Sequence, residues 1–296
     1  MIKAMMRIVK KAIGRKRKPE LSVGSKSGNR KTDAVVADIE ASDALRRKCA
    51  ERVGLGTGSS CASSGEAGAL RFLGSQLPRS SVLFDVGANA GEYSCLLAEH
   101  FPEAAIYSFE PSPRTYAILK NRVAHLQRVQ TFCCGLSSSD SEARLYSNAE
   151  GSGLASMHKR RLAHFGIAFD QSEPVTMTTV DGFSDEQSIG RIDFLKIDVE
   201  GHELEVLKGA EKRLAADRIS AIQFEFGGCN IDSRTFFQDF YYLLSERYYL
   251  CRILQEGLYR IDQYRETDEV FVTTNYLALH KQRFPVVQNS RMIQYG

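Results

Sequence analysis

The sequence predicts an α/β fold with a doubly wound, mostly parallel sheet that follows a basic N-terminal extension. Short apolar runs, typical of buried strands, alternate with stretches whose apolar residues recur at helical spacing. The first run, residues 82–86, leads into a turn of small residues, and the second, residues 105–110, ends in an acid. Strand, small-residue turn and helix in this order are typical of sheets that bind adenosine-containing cofactors.

The first strand, Val82–Val86, carries one acid, Asp85, in an otherwise apolar run. Small residues at 87, 88, 90 and 91 follow, and they let the backbone turn tightly and approach a ligand. The glycine spacing is G-x-x-x-G rather than the G-x-G-x-x-G of dinucleotide folds, and the turn also carries Asn89. Since a carboxylate repels phosphate, this turn favours a cofactor with an amino group or a sulfonium. A helix is expected to begin near Gly91, with apolar residues at Tyr93, Leu96, Leu97 and Phe101.

The second strand ends at Glu110, about 20 residues after the glycine turn. This is the separation at which a carboxylate accepts two hydrogen bonds from a ribose diol. Alternatively, Glu110 caps the helix that begins near residues 111–114.

Further apolar runs complete the sheet. Strands are expected at 129–132, 143–147, 174–180, 194–197, 219–226, 248–254, 258–261 and 276–279, with a helix at 235–245. Residues 148–172 form an insertion between two short strands, and long loops of this kind often face a substrate. The insertion carries a basic cluster that either holds an acidic or sugar-phosphate substrate or forms a solvated face: His158, Lys159, Arg160 and Arg161.

Four blocks of sequence carry a resemblance to a known family. They are Asp85–Ser94, Phe109–Pro111, Gly135–Ser137 and Asp193–Glu203, of which the last, with Asp-Val-Glu-Gly-His-Glu, is the most specific. In this order they resemble the signature of the FkbM-type methyltransferases over roughly residues 80–280. The resemblance implies the Rossmann-like seven-stranded sheet of class I methyltransferases. It also implies S-adenosylmethionine as cofactor and O-methylation of a sugar, glycan, glycolipid or other small acceptor.

We assign the candidate site residues by combining motif and resemblance. Gly87, Ala88 and Gly91 provide close backbone approach, Asp85 and Asn89 face the polar end of the cofactor, and Glu110 holds the ribose. Leu136 and Ser137 lie beside the adenine. The cofactor set is Asp85, Gly87, Ala88, Asn89, Gly91, Tyr93, Glu110, Pro111, Leu136, Ser137 and Asp198.

The acceptor side is expected after the strand at 194–197, where Asp198, Glu200 and His202 are the candidate catalytic residues. His202 is either a general base or a surface or capping histidine, and Glu203 begins the next helix. We expect no metal at this site. A divalent cation is the second possibility, and oxygen ligands for it would come from Asp198, Glu200 and Glu225.

The net charge of +3 conceals an uneven distribution, because eight basic residues precede the first acid, Glu20. Residues 1–18 are expected to form a basic amphipathic helix that lies on an anionic membrane surface, or a solvated tail. Helices are also expected at 33–52 and 67–77, the latter as a lid beside the pocket. We divide the chain into an extension and linker (1–65), a catalytic domain (66–285) and a C-terminal tail (286–296).

The composition predicts a cytoplasmic protein, either free or peripheral at the inner membrane surface, since the seven cysteines show no paired metal spacing and are expected to be reduced. No specific nucleic-acid partner is expected, because no aromatic platform accompanies the basic segment. Two other functions stay open at this point. A nicotinamide-dependent oxidoreductase would share the fold, and a membrane-docked cofactor-binding protein would bind without turnover.

Overall fold

The structure, a computed structural model, describes residues 30–57 and 64–295. The basic segment 1–18 therefore lies outside the described residues, as does Cys61. The helices are α1 (Arg30–Arg52), α2 (Glu66–Gln76), α3 (Glu92–His100), α4 (Pro113–Val123), α5 (Val180–Glu186), α6 (Glu203–Lys208), α7 (Glu211–Ala215), α8 (Cys229–Ser233) and α9 (Phe237–Leu244). The strands are β1 (Val82–Val86), β2 (Ala105–Phe109), β3 (Val129–Phe132), β4 (Gly135–Leu136), β5 (Ser141–Ser147), β6 (Gln171–Thr178), β7 (Ile192–Ile197), β8 (Ile219–Phe226), β9 (Tyr248–Leu254), β10 (Gly257–Ile261), β11 (Thr274–His280) and β12 (Met292–Gln294).

The larger sheet of the described chain has nine strands in the order β12-β10-β9-β11-β8-β7-β1-β2-β3. Strands β3, β2, β1, β7 and β8 are parallel neighbours, and every neighbouring pair from β8 to β12 is antiparallel. The doubly wound, mostly parallel α/β fold is confirmed. The order reverses between β1 and β7, and the carboxyl ends of strands at such a point form the ligand-binding crevice.

The sheet has nine strands where the sequence analysis expects seven. Strand β10, which forms a hairpin with β9, was expected at 258–261, whereas β12, which pairs antiparallel with β10 at the edge, was not expected. Residues 292–294, assigned from sequence to a C-terminal tail, thus belong to the sheet. The apolar side chain of Ile293 is buried there, which gives this edge strand its packing.

A smaller sheet, β4-β6-β5, carries the insertion between β5 and β6. The expected strand at 174–180 is found as β6, with its end corrected to Thr178. Thr179 instead caps α5, because its side chain accepts a hydrogen bond from the Gly182 amide at 2.8 Å. Val180 is therefore the first residue of a helix rather than the last of a strand.

Two apolar layers cover opposite faces of the larger sheet, because side chains of each strand alternate between them. In β1, Phe84 and Val86 lie in one layer and Leu83 in the other. The expected helix at 67–77 is α2, which packs against α3, β9 and β10 and buries Leu70 and Leu73 completely. It covers a face of the sheet rather than forming a lid, and only its first turn lies near the candidate site.

Helix α1 forms where expected, but its apolar side chains remain in solvent, with Val36, Ile39 and Leu45 49–63% exposed. Helical spacing therefore identified the helix without identifying a packed face. Across the described residues, no helix combines the length and apolarity needed to cross a membrane. Among the described cysteines, Cys229 and Cys251 are buried, whereas Cys49 and Cys133 are exposed.

Candidate active site

A row of polar residues crosses the middle of the larger sheet. Asp85 in β1 is the register partner of Ser108 in β2 and Lys196 in β7, and Lys196 is the partner of Gln223 in β8. The alternation of strand side chains puts all of them on the face covered by α2 and α3, and Glu225 follows Gln223 on that face. The four strands thus place polar groups beneath one crevice at their carboxyl ends.

Asp85 is completely buried and lies beneath the crevice rather than in it. Its Oδ2 accepts a hydrogen bond from the Ser94 hydroxyl at 2.6 Å, and its Oδ1 lies 3.3 Å from the Lys196 ammonium. Lys196 also lies 3.4 Å from Oδ2 of Asp198, whose side chain is 40% exposed. Asp85 is thus paired with Lys196, which in turn lies beside Asp198 at the crevice. Its contact with a cofactor stays a prediction.

Lys196 is a site residue that the sequence analysis missed. It is only 4% exposed and lies in β7, where every residue is buried. A lysine inside a buried apolar strand requires a buried partner, and this was the available signal. Tyr93, expected at the cofactor, lies beside it in the core: the Lys196 ammonium is 4.9 Å from its ring centre, and its hydroxyl donates to Gln223 Oε1 at 2.8 Å.

The turn after β1 is held by the protein itself. The amides of Gly87 and Ala88 both donate to the Phe109 carbonyl, at 3.0 and 2.9 Å. Gly87 has φ +78°, and a Cβ there would collide with the Asp198 carbonyl oxygen. At Gly91, with φ +84°, a Cβ would lie 2.8 Å from the Leu119 side chain. Both glycines are thus required for packing, whatever ligand the turn receives.

A Gly87→Ala substitution is expected to destabilise the protein by at least about 2 kcal/mol, since backbone strain adds to the collision with Asp198. Gly166→Ala is the matched control, because Gly166 has φ +71° and open space where its Cβ would be. Strain alone should cost about 1 kcal/mol there. Urea unfolding of both variants measures the difference, and equal losses would show that the contact with Asp198 is unimportant.

On the cofactor side of the crevice, Glu110 connects the turn after β1 with the segment that precedes α4. Its Oε2 accepts from the Asn89 amide and its Oε1 from the Ser112 amide, both at 2.9 Å. The capping alternative is thus present in part, since Ser112 precedes α4. Burial raises the pKa of Glu110 to about 7, against the lowering effect of the two amides. Pro111 follows it, next to the β4 backbone at Gly135.

Asn89 has an acceptor that no protein group uses. Its φ is +46°, and its side-chain Oδ1 is buried without a hydrogen-bond partner. The insertion reaches this residue, because a Cβ on Gly153 would lie 3.2 Å from Asn89 Nδ2. An unpaired buried acceptor is costly, so the turn is suited to a ligand that donates a hydrogen bond.

The loop after β7 is shaped by Glu203, which begins α6 as expected. Its Oε1 accepts from the amides of Val199 and Gly201, at 3.1 and 3.0 Å, and the side chain is fully buried. Between them, Glu200 adopts φ +53°. These bonds hold Asp198 and Glu200 at the carboxyl end of β7, where the sequence analysis expects the acceptor.

The insertion reaches the same loop through Arg160. Its guanidinium lies 2.5 Å from Glu200 Oε2 and 3.9 Å from Asp232 Oδ2, and Ser156 Oγ donates to the Glu200 carbonyl at 2.7 Å. The Arg160 side chain is 10% exposed. Within the basic cluster, Arg160 is therefore neither a free anion-binding group nor part of a solvated face, because protein carboxylates already engage it.

His202 and Ser137, assigned to opposite ends of the site, are in contact. Ser137 Oγ lies 2.9 Å from His202 Nε2, while Nδ1 is buried without a partner. Leu136, the neighbour of Ser137, is buried. His202 holds the N-cap position of α6, but its side chain makes no capping bond. Burial, with the neighbouring His158, lowers the pKa of His202 to about 4, so the ring is neutral near pH 7 and a weak base.

Titration of His202 followed by nuclear magnetic resonance should therefore give a midpoint near 4. Desolvation disfavours the imidazolium, so the ring should stay neutral as the pH falls from 7 to 5. A His202→Gln variant assigns the resonance by its loss. A midpoint at the ordinary value of a solvated histidine would contradict the buried contact with Ser137.

Glu225 joins Glu200 on the acceptor side. In the described part of the chain, one carboxylate oxygen of each and the Cys229 sulfur all lie within 4.8 Å of one another. Asp198 is not part of this group, so two of the three acids named from sequence as alternative cation ligands, Glu200 and Glu225, belong to it. Cys229 was not foreseen, because it follows β8 on α8 without any distinctive spacing.

The region of the chain that contains the candidate site matches a known protein family. The family model of the methyltransferase FkbM domain matches residues 85–251, which is more than half of the chain. This stretch contains all four sequence blocks, the crevice and Glu225.

Three curated relatives illustrate the similarity. Methyltransferase sdnD of Sordaria araneosa is 35% identical over 163 residues, covering 46% of this chain and 62% of the relative. The hexuronic acid methyltransferase AglP of Haloferax volcanii is 28% identical over 166 residues, covering 55% and 64%. The 2-O-methyltransferase NoeI of Sinorhizobium fredii is 27% identical over 146 residues, covering 46% and 60%. The matched part of the chain thus spans about 60% of the length of these relatives.

Proposed function

The chain belongs to the FkbM methyltransferase family, and from this premise we propose that it transfers a methyl group from S-adenosylmethionine to a hydroxyl of a sugar, a glycan or another small acceptor. The observation that carries the proposal is the joining of Glu110, at the end of β2, to the turn after β1. This arrangement lies beside the reversal of strand order, where an adenosine-containing ligand is expected.

The residues present fit this cofactor. Glu110 offers a carboxylate to the ribose, the unpaired Asn89 Oδ1 offers an acceptor, and Asp198 offers a partly exposed negative charge. A sulfonium and an amino group are cationic, so an acidic crevice attracts them. Pyrophosphate would meet the same acids unfavourably, and this argues against a nicotinamide cofactor.

The cofactor supplies an electrophilic methyl group, so the protein has chiefly to orient the acceptor oxygen and exclude water. The insertion between β5 and β6 serves to exclude water, because its residue Gly153 lies against Asn89 and its residue Arg160 against Glu200. It thereby spans the crevice from the cofactor side to the acceptor side. Ser137, the neighbour of Leu136, lies beside the same crevice because its hydroxyl contacts His202.

A carbohydrate hydroxyl is the acceptor class that we favour. Two of the relatives are named for a hexuronic acid and for 2-O-methylation. Carboxylates such as Asp198 and Glu200 accept hydrogen bonds from hydroxyl groups, and this supports the proposal from the chain's own residues. Contact of residues 1–18 with an anionic membrane, and a location in the cytoplasm, remain predictions.

The first test is calorimetric titration with S-adenosylmethionine and, separately, with NAD. We expect binding of the former alone. Transfer of labelled methyl groups is then measured on a panel of neutral, amino and uronic methyl glycosides. Binding of NAD alone would replace the proposal by an oxidoreductase, whereas cofactor binding without transfer to any member of a broad acceptor panel would favour a binding protein.

A further inference from the structure

We propose that the chain forms a symmetric dimer in which helix α1 packs antiparallel along α1 of a second copy. The pairing involves neither the cofactor nor the acceptor, so it can be tested separately from the proposed function. It gives a partner to a helix whose apolar side chains lie in solvent within a single copy.

Helix α1 carries apolar side chains that expose about half of their surface or more: Val35, Val36, Ile39 and Leu45. Val53, just after the helix, is exposed to the same degree. Helices in proteins gain most of their stability by packing an apolar face, because the hydrogen bonds along the helix hold it only marginally in water. Packing along a second helix would remove this apolar surface from water.

One side of α1 has the spacing of helices that pack along each other. Its positions are reached in alternating steps of four and three residues: Val35, Ile39, Ser42, Arg46, Cys49 and Val53. In either direction they run apolar, apolar, polar, polar, apolar, apolar, with cysteine counted as apolar. In an antiparallel pair Val35 therefore lies opposite Val53 of the second copy, and Ile39 lies opposite Cys49 of the second copy.

The side chains that flank this row favour the antiparallel direction. Asp38 of one copy lies near Arg52 of the other, and the two copies of Leu45 meet at the centre. Arg46, which lies 3.2 Å from Asp43 in its own helix, also comes within reach of Asp43 of the second copy. A parallel pair would instead place the two Arg46 side chains together and Asp38 beside Asp43, and like-charge repulsion opposes this.

The distribution of charge along α1 identifies a second copy as the partner. From residue 33 to 43 the helix carries four acids and no basic residue, whereas residues 44–52 carry four basic residues and one acid. The two halves complement each other when two copies run in opposite directions. An anionic membrane is a less suitable partner, because it would repel the acidic half.

The attachment of α1 to the rest of the protein favours the same direction. The Val53 carbonyl accepts a hydrogen bond from Arg252 at 3.4 Å, and Gly54 lies against Leu254, so the C-terminal end of α1 is held on β9. With 23 residues the helix is about 35 Å long. An antiparallel pair thus keeps the two sheets at opposite ends, whereas a parallel pair would crowd them at one end.

Sedimentation velocity of the full chain over a range of concentrations measures the dimer. We expect Ile39→Glu to be monomeric, because the new charge would lie against Cys49 of the second copy. The matched control is Ala37→Glu, on the outer side of the same helix, which should leave the dimer unchanged. Circular dichroism checks that both variants keep their helix content.

A charge exchange tests the contact between the two halves. Asp38→Arg and Arg52→Glu should each weaken the dimer about tenfold, since each replaces two attractions by two repulsions. Both substitutions in one chain should restore the wild-type affinity. A wild-type protein that is monomeric at every concentration would overturn the proposal, as would a double variant weaker than both single variants.

A thiol placed opposite Cys49 tests the direction of the helices. Oxidation of Ile39→Cys with diamide should give a covalent dimer, and Ile39→Cys combined with Cys49→Ser should give no more of it than Cys49→Ser alone. Cross-linking that persists without Cys49 would indicate parallel helices and contradict the proposal. A monomeric wild-type protein that binds phosphatidylglycerol vesicles, and loses this binding in Ile39→Glu, would assign the face to a membrane instead.

Discussion

Glu110→Ala is expected to weaken the binding of S-adenosylmethionine by roughly 10- to 100-fold. Hydrogen bonds to an ionised carboxylate contribute about 1.5–3 kcal/mol, and tenfold in affinity corresponds to about 1.4 kcal/mol. The substitution also frees the amides of Asn89 and Ser112, so the turn after β1 loses its link to the end of β2. Calorimetry on the folded variant measures the loss.

The matched control is Glu103→Ala, which removes an exposed glutamate that pairs with Arg79. Its affinity for the cofactor should equal that of the wild-type protein. An unchanged affinity in Glu110→Ala would refute the assignment of this carboxylate to the ribose.

The pH dependence of cofactor binding provides a check on the same carboxyl group. With a pKa near 7, Glu110 is ionised above that pH and protonated below it. A protonated carboxyl accepts fewer hydrogen bonds, so affinity should fall as the pH decreases from 8 to 6. The part of this dependence that belongs to Glu110 should be absent in Glu110→Ala. A pH profile identical in both proteins would mean that Glu110 does not titrate in this range.

Lys196→Met is expected to have the largest effect on stability, with a loss of about 3–5 kcal/mol in the free energy of unfolding. The substitution leaves Asp85 completely buried with its Oδ1 unpaired. An isolated buried carboxylate is far more costly than a buried pair is favourable. Urea unfolding measures the loss.

Two further variants test the cause of this loss. The double variant Asp85→Asn with Lys196→Met removes both charges and should recover part of the stability. Arg79→Met breaks an ion pair in which Arg79 is 88% exposed, and it should change the free energy by about 0–1 kcal/mol. If Lys196→Met behaved like Arg79→Met, the buried charge row would have no part in holding the sheet together.

Short stretches of sequence were enough to predict several strands, because the burial of a strand shows in the apolar residues along it. The strand limits expected at 82–86, 129–132, 219–226 and 248–254 match β1, β3, β8 and β9. Each is an apolar run bounded by turn residues, so nearest neighbours along the chain are sufficient to define it. The same local logic placed Glu203 at the start of α6.

Glycine and histidine were harder to interpret from sequence. A glycine-rich turn indicates that something approaches the backbone closely, but not what approaches. At Gly87 it is the Asp198 carbonyl, and at Gly91 the Leu119 side chain. His202 carried the signal of a general base, yet burial beside Ser137 makes it a weak one. Both outcomes depend on segments that are remote in the chain.

The sequence alone determined the α/β class, most strands of the larger sheet and the family, and it named the acids Glu110, Asp198 and Glu200 as candidate site residues. Only the tertiary structure decided which charges meet: Lys196 with Asp85, Arg160 with Glu200, and Glu225 with Glu200. The physical reason is that periodicity records whether a side chain is buried, through its neighbours along the chain. The partner of a buried charge is instead set by strand order and by loops that return from distant positions, and neither leaves a local pattern.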